Sequence, residues 1–209
     1  TVLFLEALST FEATVNVRFR LKKPFCVDTE IRMFGDPGKS VIVKPFTAGV
    51  MRPKEELASR FQTLGAIHGG YGGTCDAEPM WAIADSITPS LTSDLKEGRA
   101  KEFVFEITDG GSNGVSARAK AEDTAAQDTR NAVDAVEKVG VVARGFQIGE
   151  PAEEEKQTFG SIWGENGEHI PHPKDLAPAV AALLADELRK TEMKIQYYGE
   201  DATEAMTDA

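Results

Sequence analysis

At 209 residues, with a hydrophobic content of 41%, the chain is long enough for one large domain with its own core. Its net charge of −11 argues against nucleic acid, which asks for clustered Lys and Arg, and favours a cation or a basic protein patch as partner. No run of about 18 apolar residues occurs, so no membrane span is expected.

Two cysteines, Cys26 and Cys75, lie far apart and form no CxxC pair. Such sparse usage suits a reducing compartment and inert thiols, and a single disulfide stays open. The opening segment "TVLFLEALSTFEATV" has no basic leader, so it is not a signal peptide. Val2, Leu5 and Leu8, or Phe4, Leu8 and Phe11, recur at helical spacing, and the segment reads as a helix already under way at Thr1. A cytoplasmic location is the expectation.

Alternation in "CVDTEIRMFGD" predicts a strand, stopped by the turn residues Gly35-Asp36-Pro37-Gly38. The β-branched run "KSVIVKPF" follows at once, which predicts an antiparallel pair with its second strand at a sheet edge. "RPKEELASRFQTL" predicts a helix that tolerates Pro53 in its first turn, and a glycine-rich loop, "GAIHGGYGGTCD", leads to a helix over "AEPMWAIADSI". Beyond it come the apolar strand "EFVFEI", a polar loop, and the helix "TRNAVDAVEKVG", stopped by Gly140. The strand "VVARGFQIG", a short helix around "EEEKQTFGSIW", the extended piece "EHIPHP" and a last helix over "DLAPAVAALLADELRK" complete the order. Val180, Leu183, Leu184 and Leu188 form the apolar stripe of that last helix. An acidic tail follows over 194–209.

Strands alternating with helices imply an α/β fold. The expected architecture is a doubly wound, mostly parallel central sheet, with helices on both faces and one antiparallel edge strand, over residues 1–193. Ligands on such sheets gather at the carboxyl ends of the strands. Asp109 stands at the end of the most apolar strand. An ordinary strand-end turn accounts for Asp109 equally well, and a helix N-cap role accounts for Thr74, with Asp76 as the alternative cap.

Taken together, "GGTCDAEPMWAIA" and "FVFEITDGG" resemble the von Willebrand factor type A (vWA) domain, and the element order extends the likeness from about Thr1 to about Lys190. That family carries a metal-ion-dependent adhesion site at the carboxyl ends of its central strands. The site is built from Asp-x-Ser-x-Ser after the first strand, a loop Thr and a later Asp. The resemblance makes Thr74 the loop threonine and Asp109 the later aspartate, holding Mg²⁺, or Mn²⁺ or Ca²⁺, that a partner's acidic residue completes. It implies a protein-interaction module and not an enzyme, and "VIVKPF" leans toward the branch that works with AAA+ ATPases. Asp-x-Ser-x-Ser is absent from these residues, so the expectation is either a fragment whose first strand lies upstream of Thr1 or a diverged member lacking that strand. With Thr74 and Asp109 alone, metal binding would be weak or nil.

Other residues carry less. Glu106, inside the apolar strand, needs a partner, either a basic neighbour or a group on the missing strand. "GDPGKS" lacks the first glycine of a P-loop, Met33 standing in its place, and leads into a strand. His169 and His172 have ligand spacing but no Cys or third His nearby. His68 lacks a nucleophile to serve, and Cys75 lacks a basic neighbour to activate it. The rival readings are a metal-free scaffold and a small-molecule or nucleotide-binding enzyme on the same sheet.

Overall fold

The computed structural model describes residues 26–47 and 74–183, together with the helical residues 8, 12, 13, 16, 17, 185, 186 and 189. The expected helix over "RPKEELASRFQTL", the glycine loop with His68, Leu184, Leu188 and the acidic tail lie outside the described residues. The chain divides into two compact units, Thr1–Pro171 and His172–Ala209.

In the first unit, β1 (Thr29–Met33) and β2 (Val41–Thr47) pair antiparallel, with Met33 opposite Val41 and Thr29 opposite Thr47. The turn between them is the "GDPGKS" segment. Lys39 closes it by donating its amide to the Asp36 carbonyl at 2.9 Å, and Gly38 takes a left-handed φ of 80°. Leu8, Glu12, Ala13, Asn16 and Val17 are helical, in line with the spacing of the opening segment. Glu12 accepts the Val27 amide at 2.7 Å.

Helix α1 (Ala77–Ser86) and α2 (Pro89–Lys96) follow. The second was not anticipated, although Thr88 caps it by accepting the Leu91 amide at 3.2 Å and Pro89 opens its first turn. Then come β3 (Phe103–Thr108), α3 (Ala125–Lys138), β4 (Val142–Ile148), α4 (Glu153–Trp163) and β5 (Gly167–Ile170). Helix α3 begins earlier than its apolar stripe suggests because Thr124 caps it on the Gln127 amide, and Gly140, at φ 102°, ends it as expected.

Strands β3, β4 and β5 form a parallel sheet in that order. The fold is therefore α/β with a three-stranded parallel sheet. The antiparallel pair β1–β2 is a second, separate sheet among the described strands, where one sheet with an antiparallel edge was expected. Hydrophobic alternation sets which face each strand buries but does not decide which strands share a ladder.

The core lies on one face of the parallel sheet. Ala77 and Met80 of α1, Ala132, Val133 and Val136 of α3, and Phe159, Ile162 and Trp163 of α4 pack there with Val141 and Ala143. Trp163 reaches the sheet because Gly145 lies beneath it. A Cβ built on Gly145 would overlap the indole ring, 2.5 Å from Cε2. Gly167, paired with Gly145 across β4–β5, does the same for Phe159, whose Cε1 lies 2.7 Å from an added Cβ. The two glycines form a shallow bed for two aromatic rings. Arg130 pins the far end of α4 by donating to the Ile162 carbonyl at 2.8 Å.

In the second unit, Pro173–Asp175 forms a 3-10 turn, and residues 176–183 are helical with Val180 buried. Among the described residues no helix is long and apolar enough to cross a membrane.

Gly145→Ala is expected to destabilise the chain by about 3 kcal/mol, because the new methyl must displace a buried indole. Denaturant unfolding of this variant beside Gly149→Ala checks it. Gly149 has open space around its Cβ position and only its φ of 95° to strain, so it should cost less.

Candidate functional site

Three loops meet where β3 ends. Thr108 closes the strand with a turn in which its hydroxyl accepts the Gly110 amide at 3.3 Å. Asp109 follows, exposed and without a hydrogen bond or ion pair to any described residue. Thr74 is strapped to the same loop at four points. Its hydroxyl donates to the Gly111 carbonyl at 2.8 Å and its amide to Asn113 Oδ1 at 2.8 Å, while its carbonyl accepts the Asn113 and Gly114 amides at 3.0 and 2.9 Å. Thr74 and Asp109 thus stand on one rim at the carboxyl end of β3.

The β1–β2 turn joins them. Cys75 donates its amide to the Gly35 carbonyl at 2.8 Å, and a Cβ added to Gly114 would lie 3.1 Å from Pro37. The Gly38 amide is taken by the Glu78 carboxylate at 2.7 and 2.9 Å. The "GDPGKS" amide that could face an anion is therefore bound to an acid, and the segment leads into β2.

Thr74 is not a helix cap. Asp76 occupies the N-cap position of α1, but its backbone is already helical, at φ −65° and ψ −27°, and its side chain makes no cap bond. That side chain is instead buried, 1% exposed, where Ser112 hydrogen-bonds to it. Ser112 also pairs with Thr129 of α3 at 3.1 Å between hydroxyl oxygens.

Beneath the rim lies a buried polar layer that sequence reasoning only touched. Glu106 and Thr108 alternate on the helix-covered side of β3, 3% and 7% exposed. Among the described residues Glu106 has no basic neighbour, and both its carboxylate oxygens lie buried without a hydrogen bond of ordinary geometry, as do Asp76 Oδ1 and the Trp163 indole nitrogen. Burial first, then the Asp76 charge, pushes the Glu106 carboxyl well above the usual range, with the nearby Trp163 N–H pulling the other way. Burial likewise raises Asp76 to about 6.

Asp128 of α3, also buried, is fully employed. It accepts the Ser116 amide at 2.6 Å and the Trp81 indole at 3.1 Å, so it holds the loop after β3 against α1. Nothing in the sequence marked it out, because its partners are remote in the chain. Burial pushes the Cys75 thiol up to about 11, which leaves it protonated and inert. Cys26 is exposed. His169, on β5, and His172, in the second unit, are both exposed. Among the described residues no group of three or more His, Cys, Asp or Glu is arranged to hold a metal.

In comparison with known proteins, no family model and no curated protein matches the chain.

Two expectations follow. Asp128→Ala should cost about 2–4 kcal/mol, because it strands the Trp81 and Ser116 donors, as denaturant unfolding followed by tryptophan emission will show. The second concerns pH. A raised folded pKa means that the native chain holds a proton that the unfolded chain releases. Glu106's contribution is therefore complete below the ordinary Glu range and is lost as pH rises toward its elevated folded value. In chelator, thermal midpoints should fall as pH rises above the ordinary Glu range, and Glu106→Gln should flatten that fall.

Proposed function

We propose that the chain is a protein-interaction module of the vWA type, built on a doubly wound Rossmann-like sheet, that recognises a partner through a cation held at the rim. The carrying observation is the strap between Thr74 and the loop opened by Asp109. Thr74 spends its hydroxyl hydrogen on Gly111, which keeps the oxygen lone pairs available, and Asp109 offers an unpaired carboxylate to solvent. Both are hard oxygen donors of the kind Mg²⁺, Mn²⁺ and Ca²⁺ prefer. Two such donors leave most of an ion's coordination to water and to a partner's Asp or Glu. Affinity at the rim alone is then weak, roughly millimolar.

The net charge of −11 supports a cation bridge, since an acidic partner group would otherwise be repelled. Partners in this reading are acidic protein surfaces, with an AAA+ ATPase as one candidate. A metal-free scaffold is the second reading. It is favoured by the same Thr74 strap, which closes the loop by hydrogen bonds without any ion.

Paramagnetic broadening by Mn²⁺ separates the two. Amides of residues 109–114 should broaden first and recover in EDTA, and Asp109→Asn should weaken the effect several-fold. Uniform broadening, or an unchanged Asp109→Asn response, leaves the scaffold reading standing.

A further inference from the structure

Glu106 and Asp76 pose a problem that the rim does not solve. Both carboxylates are almost completely removed from water, and three of their four oxygens have no partner. Among the described residues no Lys, Arg or His reaches either one, and the influences on Glu106 are burial, the charge of Asp76 and one indole N–H. Burying an uncompensated carboxylate costs several kcal/mol, and two together repel. Among the described residues nothing balances this charge, so the pair is neutralised either by protons or by a cation from outside.

The surroundings define what that charge must be. Asp76 lies at the start of α1 and Glu106 in the middle of β3, so two rigid elements hold the carboxylates. Ser112, from the loop after β3, adds a hydroxyl beside Asp76, and no sulfur or imidazole ligand is among them. An all-oxygen set with two negative charges selects a hard divalent ion, which takes one or two carboxylates and completes its shell with water. The Trp163 N–H, although close to Glu106, is itself unpartnered, so internal hydrogen bonding does not close the site.

We propose that Asp76 and Glu106 form an internal binding site for a hard divalent cation, with the Ser112 hydroxyl as a third oxygen. The site uses neither Thr74 nor Asp109, and it stands whether or not the rim holds an ion. Its effect is structural: the ion ties α1 to β3 and so fixes the base on which the rim loops sit.

The test is a titration of the chelator-treated full chain with Mg²⁺, Ca²⁺ or Mn²⁺ at about pH 7.5, read by thermal midpoint and by tryptophan emission. Trp163, beside Glu106, and Trp81 are the two tryptophans, and Trp81→Phe leaves Trp163 as the sole reporter. At about 100 times Kd, one of these ions should raise the midpoint by roughly 5–10 °C and change the Trp163 emission saturably. Glu106→Gln should abolish both responses while keeping an ion-free midpoint at or above that of the parent. Asp76→Asn serves in its place if Glu106→Gln does not fold.

Asp109→Asn distinguishes the inner site from the rim. Responses that survive it belong to Asp76 and Glu106. Responses lost with Asp109→Asn but kept in Glu106→Gln belong to the rim and overturn the proposal. A parent chain whose midpoint follows pH but ignores all three ions overturns it too, since protons alone would then neutralise the pair.

Discussion

The packing of this molecule depends on one close approach, the indole of Trp163 lying on Gly145. A side chain at that position would hold α4 away from the sheet, and Gly167 on the next strand extends the same clearance to Phe159. Burial of two aromatic rings contributes about 2–3 kcal/mol each, a large part of what holds α4 in place. Because Glu106 pairs with Gly145 across β3–β4, the same approach brings the indole against the buried carboxylate. Core packing and the polar layer are thus set by a single contact.

From that contact the rim follows. Strand β3 is held by β4 and by the helices over its inner face, so the loop after Thr108 leaves from a fixed point. Asp128 holds the far part of that loop through Ser116, and Thr74 holds the near part through Gly111 and Asn113. Asp109 is the residue this arrangement leaves unrestrained, and it faces solvent. A side chain free on a rigid base suits recognition, since the base sets position without committing the acceptor to an internal bond.

Much of the architecture was legible because it is periodic. The apolar strands β3 and β4, the amphipathic helices and the turn at Gly140 all announce themselves over short windows. Helix α2 was equally readable from Thr88-Pro89, a cap followed by proline at the first helical position, but its weak apolar stripe hid it. The separation of β1–β2 from the parallel sheet was not readable, since strand partners are chosen by tertiary packing. At the site, Glu106 was conspicuous as an acid in an apolar run, yet its lack of a partner depends on residues dozens of positions away. Asp76 illustrates the limit best: its sequence context is that of a helix cap, and the structure puts it at the cap position with its side chain turned inward.

That inward turn sharpens the electrostatics. A carboxylate at the start of α1 gains at most about 1–2 kcal/mol from the helix dipole, and it gains this only within the first turn. Removing the same carboxylate from water costs several kcal/mol, and Glu106 adds repulsion in place of relief. One hydroxyl, from Ser112, and one indole N–H cannot close a gap of that size, because a hydrogen bond to a charged group nets about 1.5–3 kcal/mol at best. The geometry therefore leaves two ways of neutralising the pair. Protonation serves in acid, where the raised pKa values make it inexpensive. Above the folded pKa of Asp76, about 6, protonation of that residue grows steadily costlier, and the proposed internal cation is what would restore neutrality without unfolding the layer on which the rim is built.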